Sequence, residues 1–121
     1  LQELYEKIGG NYDQALKVLK VEKLLDKHIR KFAQKGVIEK LLEAGKTMDP
    51  SELFESAHAA KGVCANLGLV SLAADVSEIT EEFRPGSTRA LTDEQIKEKL
   101  VKIEAEYKKA VEGINEYIAQ A

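Results

Sequence analysis

His58 is the residue of this sequence with the clearest capacity for chemistry, because Lys61 and Gly62 follow it at helical spacing. Near physiological pH a neutral imidazole offers a ring nitrogen with a free lone pair. It can attack phosphorus without the deprotonation that a serine would need. Lys61 supplies a cation where phosphate oxygens would gather. The pattern indicates phosphoryl transfer, in which positioning and charge neutralisation matter most.

The helix that carries His58 has clear predicted ends. Asp49 suits the N-cap, Pro50 suits the first helical position, and Gly68 follows Leu67 as a left-handed C-terminal residue. At about 100° per residue, the side of this helix away from His58 is apolar and should face the core. Its members are Leu53, Ala57, Ala60, Val63, Cys64 and Leu67.

His58 is therefore expected to point into solvent, on a face that we call the His58 face and that comprises Phe54, His58, Lys61, Gly62 and Ala65. Glycine in the middle of a helix costs about 1 kcal/mol relative to alanine. We interpret Gly62 and Ala65 as keeping the surface beside the imidazole flat, so that a partner can approach. Phe54 suits an apolar docking surface for that partner.

The sequence as a whole predicts an all-α protein, because it is rich in Leu, Ala, Glu and Lys, with 32% charged residues, only 6% aromatic residues and no Trp. Its length of 121 residues fits one domain, over residues 1–121. We expect an antiparallel up-and-down four-helix bundle with short additional N-terminal helices. The predicted helices span residues 1–8, 12–19, 21–32, 37–44 before Gly45, 50–67, 69–83, and the segment from Thr92, where Gln95 completes a capping box.

Charge and composition narrow the class of protein. The formal net charge of -3 is spread along the chain, which does not favour binding to nucleic acid. No apolar run is long enough to cross a bilayer, and the N-terminus lacks a signal-peptide pattern. The single Cys64 excludes an internal disulfide. We expect a cytoplasmic monomer without contact to a membrane.

The stretch from Ala57 to Gly68, AHAAKGVCANLG, resembles the A-H-x-x-K-G-x-x-x-x-L-G signature of histidine-containing phosphotransfer (HPt) domains. The surrounding pattern of helices and the length also fit this family. The resemblance implies that His58 accepts a phosphoryl group from an aspartate of a receiver domain, or from a kinase, and passes it to another receiver. It also implies that Lys61 helps to hold the phosphoryl oxygens and that Gly62 allows close docking.

One position departs from the family pattern. Many members place a Gln or Lys on the next helix within reach of the histidine, whereas this sequence offers Ser77, Glu78 and Thr80. The shorter Thr80 hydroxyl is the candidate for that supporting hydrogen bond.

Other candidate residues have simpler interpretations. His28 lies beside an apolar stripe and is assigned no role, and Cys64 is expected to be a buried small hydrophobe. Glu78, Glu81 and Glu82 are interpreted as a solvated acidic face. Glu55 and His58 have the spacing of a metal-binding pair, but they point outward and no second pair exists, so no metal site and no cofactor of its own is expected.

Two functions remain open from the sequence. The first is a phosphoryl carrier in a two-component phosphorelay, which is no enzyme by itself and depends on a histidine kinase and a response-regulator receiver domain, with Mg²⁺ on the receiver. The alternative is a docking adaptor that binds receiver or kinase domains without being phosphorylated. The intact His58 favours the carrier. The partners' identity, the direction of phosphoryl flow, and whether the module is freestanding stay open.

Overall fold

The computed structural model describes residues 1–34 and 36–120, and within these residues it is all-helical and contains no strand. The predicted fold class is confirmed at this level. The described part of the chain forms seven helices: α1 (Gln2–Ile8), α2 (Tyr12–Leu19), α3 (Glu22–Phe32), α4 (Val37–Thr47), α5 (Pro50–Asn66), α6 (Val70–Glu82) and α7 (Asp93–Gln120).

The ends of α5 form as predicted. The Asp49 carboxylate accepts the backbone N–H of Ser51 at 2.9 Å, and Pro50 opens the helix. At the other end Gly68 has a φ of 69°. A Cβ at Gly68 would lie 2.3 Å from the carbonyl oxygen of Asn11, so the position excludes a side chain by space as well as by conformation.

Helix α5 packs against α4 and α6, and α7 also packs against α4 and α6. These helices line one apolar core. On α5 the buried residues are mostly small, including Ala57, Ala60 and Cys64. Small side chains let neighbouring helix backbones approach closely, which fixes α5 firmly between its neighbours.

The N-terminal helices attach to this core at two places. Helix α1 packs against α7, and the Tyr5 hydroxyl donates a 2.7 Å hydrogen bond to the Leu67 carbonyl at the end of α5. Helix α2 contacts α3 and α5, while α3 contacts α7. The start of the chain therefore braces the C-terminal end of the helix that carries His58.

The predicted end of α4 at Gly45 is wrong. The helix continues to Thr47 and stops where Met48 adopts a φ of 59°. Gly45 lies inside the helix, and a Cβ there would lie 2.6 Å from Leu100 Cδ1 on α7. Glycine is present because α4 and α7 approach closely, not because the helix ends. The capping box of α7 is confirmed: Thr92 N–H donates to Gln95 Oε1 at 2.9 Å, and Gln95 N–H to Thr92 Oγ1 at 3.2 Å.

None of the helices over residues 1–34 and 36–120 combines the length and the apolar character needed to cross a membrane.

Candidate functional site

Helix α5 divides into the two sides that the sequence predicts. His58, Gly62 and Ala65 are exposed, whereas Phe54 and Lys61 are half-buried. Five of the six residues predicted on the opposite side are buried, namely Leu53, Ala57, Ala60, Cys64 and Leu67. The sixth, Val63, is half-buried. The imidazole of His58 thus points away from the core.

Phe54 lies one turn before His58 and stacks on it. The two ring centroids are 5.6 Å apart, and the ring planes differ by 16°. An offset stack of this kind stabilises one orientation of the imidazole. The Arg84 guanidinium, which follows α6, lies 5.6 Å from the Phe54 ring centroid. Phe54 therefore packs against two side chains, in addition to presenting the apolar surface inferred from the sequence.

Lys61 is loosely held. Its Nζ lies 3.9 Å from Oε1 of Glu81 on α6, and its side chain is 38% exposed. This distance is at the outer limit of an ion pair, and exposed pairs of this kind contribute little to stability. The Lys61 ammonium can therefore move to a different anion at small cost.

Glu81 is held much more tightly by Arg84. The guanidinium donates two hydrogen bonds to the carboxylate, from Nε at 3.0 Å and from Nη2 at 2.9 Å. These bonds lower the pKa of Glu81, and the charges of Arg84, Lys61 and His58 lower it further. Glu81 is thus an ionised carboxylate within the electrostatic reach of His58.

Glu81 and Arg84 are the site residues that sequence reasoning missed. The sequence predicts that Glu81 lies in a solvated acidic face, and the predicted helix over 69–83 ends just before Arg84. Their i,i+3 spacing was a local indication that they pair. The contact of Glu81 with Lys61 joins two helices, so no local pattern could reveal it.

The interpretation of Glu78, Glu81 and Glu82 as one solvated face holds for Glu78 and Glu81, which are exposed, but not for Glu82, whose side chain is only 10% exposed. Each of the three carboxylates also has its own partner. Glu78 forms an ion pair with Lys99 on α7. Glu82 accepts the backbone N–H groups of Ala90 at 3.0 Å and Leu91 at 2.8 Å, and so anchors the loop before α7. Of the three, only Glu81 pairs with a residue of the His58 face.

Thr80 does not support His58. Its side chain is fully buried, and its hydroxyl donates a 3.0 Å hydrogen bond to the Val76 carbonyl one turn earlier. The hydrogen bond proposed from the sequence is therefore wrong. The reason is that Thr80 lies on the inward side of α6 beside Ile79, both of which are completely buried.

The surface at Gly62 is open. A Cβ added there would meet no atom of the described residues within 4 Å, beyond the helix's own backbone and its chain neighbours. Ala65, one turn along, is exposed. Both positions agree with a flat surface beside the imidazole. Packing among the described residues thus does not require a glycine at position 62.

The other candidate residues lie away from this face. His28 is exposed. It lines an apolar groove of about 400 Å³ together with Phe32, Val63 and Tyr107, among other residues. Cys64 is buried as predicted, and its burial raises the pKa of the thiol to about 12. Residues 1–34 and 36–120 contain no group of three or more His, Cys, Asp or Glu side chains arranged to hold a metal ion.

Comparison of the chain with protein-family models, with curated proteins and with solved structures finds no match. The function is therefore argued from the geometry of the His58 face and from its sequence motif.

Proposed function

We propose that this chain is a histidine-containing phosphotransfer domain that carries a phosphoryl group on His58 in a two-component phosphorelay. The observation that carries the proposal is the combination of an exposed His58, a releasable Lys61 cation and an open surface at Gly62 on one helix face. The order of these residues along the sequence is similar to the HPt signature.

The proposed step is a transfer between a receiver aspartate and the imidazole. The lone pair of the unprotonated ring nitrogen forms a bond to phosphorus, while the bond from phosphorus to the aspartyl oxygen breaks. The electron pair of the broken bond stays on the aspartate, which leaves as a carboxylate, and the other ring nitrogen keeps its proton. Reversal of these changes passes the phosphoryl group to a second receiver.

Each residue of the face has a part in this step. The stack with Phe54 orients the imidazole, and Lys61 neutralises charge on the phosphoryl oxygens. Gly62 and Ala65 let the partner's reactive aspartate come close. Mg²⁺ is expected on the receiver, which also supplies the remaining catalytic groups, so the chain acts as a carrier rather than as an enzyme.

The same proposal includes the arrangement of the helices. We infer that α4, α5, α6 and α7 form an antiparallel up-and-down bundle, to which α1, α2 and α3 are added. The contacts of α5 and α7 with both α4 and α6 support this arrangement. In such a bundle His58 lies near the middle of a long helix, where the backbone is rigid. We place the domain in the cytoplasm as a monomer that meets a histidine kinase and receiver domains.

The test is phosphoryl transfer from a panel of labelled phospho-receiver domains to the wild type, to His58→Gln and to His28→Gln. The chain has two histidines, so His28→Gln is the matched control. We expect acid-labile label on the wild type and on His28→Gln, and none on His58→Gln. Label that persists in His58→Gln would contradict the proposal. A receiver that binds the wild type without ever labelling it would favour the docking adaptor.

A further inference from the structure

Lys61 and Arg84 share one counterion, the carboxylate of Glu81. Arg84 holds this carboxylate through two hydrogen bonds of 3.0 and 2.9 Å, whereas the nearest approach of Lys61 is 3.9 Å. The contacts of Arg84 and of Lys61 with Glu81 are therefore unequal in strength. The bidentate contact with Arg84 fixes Glu81 in place, and the long contact leaves Lys61 free to exchange partners.

A phosphoryl group on His58 changes the charge balance of this cluster. It brings an anion with up to two negative charges and three acceptor oxygens, as on other phosphorylated side chains. Lys61 would be attracted to it and would leave Glu81. The Glu81 carboxylate stays beside the site, because Arg84 holds it, and it repels the new anion.

We propose that Glu81 is an exchangeable counterion of Lys61, which competes with the phosphoryl group for the lysine and keeps the phosphohistidine ready for onward transfer. This inference rests on the proposed phosphotransfer function and names a further positioning residue for it. Glu81 acts through Lys61 and by repulsion, and it forms no bond to phosphorus.

The low pKa of Glu81 fits this role, because the hydrogen bonds from Arg84 keep the carboxylate ionised well below neutral pH. Its side chain is 54% exposed, so substitution should leave the core intact. Glu78 provides the matched control. It lies one turn earlier on α6, is 52% exposed and pairs with Lys99 on α7, which is not a residue of the His58 face.

The experiment measures the equilibrium ratio of phosphorylated to unphosphorylated protein against a single phospho-receiver, for the wild type, Glu81→Gln and Glu78→Gln. We expect Glu81→Gln to raise the ratio about twofold to fivefold, since one exposed ion pair and one repulsion are removed. Onward transfer from the Glu81→Gln phosphohistidine should slow by a similar factor. Glu78→Gln should behave as the wild type.

Two further arms separate this role from a structural one. Added salt should reduce the difference between wild type and Glu81→Gln, because screening weakens exposed charge interactions. In a Lys61→Met background Glu81→Gln should have less effect than in the wild type, which a double-mutant cycle measures. A change in folding alone would produce neither result.

The outcomes distinguish this inference from the function on which it rests. If the wild type is labelled and Glu81→Gln has the same ratio, the counterion role is overturned and the carrier function stands. An equal rise in Glu78→Gln also overturns it, because the effect would then be one of net charge. If the wild type accepts no label from receivers that bind it, both proposals fail.

Discussion

The ring of Phe54 stacks on the imidazole of His58, with centroids 5.6 Å apart and planes within 16° of each other. Aromatic pairs of this kind are worth about 0.5–1.5 kcal/mol. The stack therefore restricts the imidazole to a subset of its rotamers before any partner arrives. Phe54 also packs near Arg84, so it connects the nucleophile to the residue that anchors Glu81.

Replacing Phe54 should slow phosphoryl acceptance without unfolding the protein. We expect Phe54→Leu to reduce the rate by about twofold to tenfold, which corresponds to the loss of the stacking energy. Phe54→Tyr keeps an aromatic ring and should retain most of the rate. Rapid-quench measurements with a phospho-receiver check this. Equal rates for Phe54→Leu and the wild type would show that the stack does not position the imidazole.

Gly62 should be a site where stability and function conflict. Because a Cβ there meets open space, Gly62→Ala should stabilise the protein by about 1 kcal/mol through helix propensity, seen as a higher Tm. Gly45→Ala is the matched control in another helix. Its Cβ would lie 2.6 Å from Leu100 Cδ1, so the same substitution should bring no such gain. A Gly62→Ala variant less stable than the wild type would contradict this account.

A larger side chain at Gly62 should block the partner and leave the fold unchanged. We expect Gly62→Gln to have the helical circular dichroism of the wild type and to bind a receiver domain about tenfold more weakly, because the added side chain lies between the partner and the imidazole. Isothermal titration calorimetry measures the affinity. Unchanged binding would place the docking surface elsewhere.

Much of the local structure was predictable from the sequence. The N-cap Asp49, the capping box of Thr92 and Gln95, and the stop at Gly68 each depend on residues a few positions apart, and all three are confirmed. The outward direction of His58 follows from helical periodicity alone.

The sequence predictions fail mainly where a residue's role depends on contact with another helix. Because glycine disfavours helix, the sequence predicts a helix end at Gly45, whereas the structure shows that Gly45 accommodates Leu100 of α7. The contact between Lys61 and Glu81 depends on how α5 and α6 are aligned, and the sequence does not specify this alignment. The burial of Thr80 does follow from a local pattern, because its i,i+4 spacing from Val76 puts both residues on the buried stripe of α6.

Glu106 on α7 should make the protein less stable as pH rises. Its burial, with the hydrogen bond and charge of nearby Asp75, raises its pKa above the ordinary 4.5. When Glu106 and Asp75 are both ionised, neither can donate a hydrogen bond to the other. No donor from the described residues reaches the buried Asp75 Oδ2. A protonated Glu106 can donate to Asp75. Lys102 contacts both groups, at 3.2 Å from Asp75 and 3.9 Å from Glu106, and offsets the repulsion only in part.

The direction in which stability changes with pH follows from proton binding to Glu106. Between pH 4.5 and the raised pKa of Glu106, the folded protein holds a proton that the unfolded chain has released, so this group's contribution to stability falls as pH rises. Glu106→Gln should remove that fall and add a permanent donor to Asp75, worth about 1 kcal/mol at pH 7. Urea unfolding across pH measures it. Glu104→Gln, which breaks only the exposed pair with Lys108, should leave the pH profile unchanged.

The Tyr5 hydroxyl should stabilise the attachment of α1 to the end of α5. Its residue is 1% exposed, and its hydroxyl donates at 2.7 Å to the carbonyl of Leu67, the residue that directly follows the helix that carries His58. Tyr5→Phe keeps the packing but leaves a buried carbonyl unpaired, which costs about 1–3 kcal/mol.

The matched control for Tyr5→Phe is Tyr12→Phe, because the Tyr12 hydroxyl donates at 2.9 Å to the Glu22 carboxylate in an exposed position where water can replace it. Chemical denaturation should therefore give a clear loss of stability for Tyr5→Phe and a change within about 0.5 kcal/mol for Tyr12→Phe. Since Leu67 lies more than two turns beyond His58, neither variant should alter the rate of phosphoryl acceptance while the protein is folded. A reduced rate in fully folded Tyr5→Phe would mean that the brace at the end of α5 also orients the His58 face.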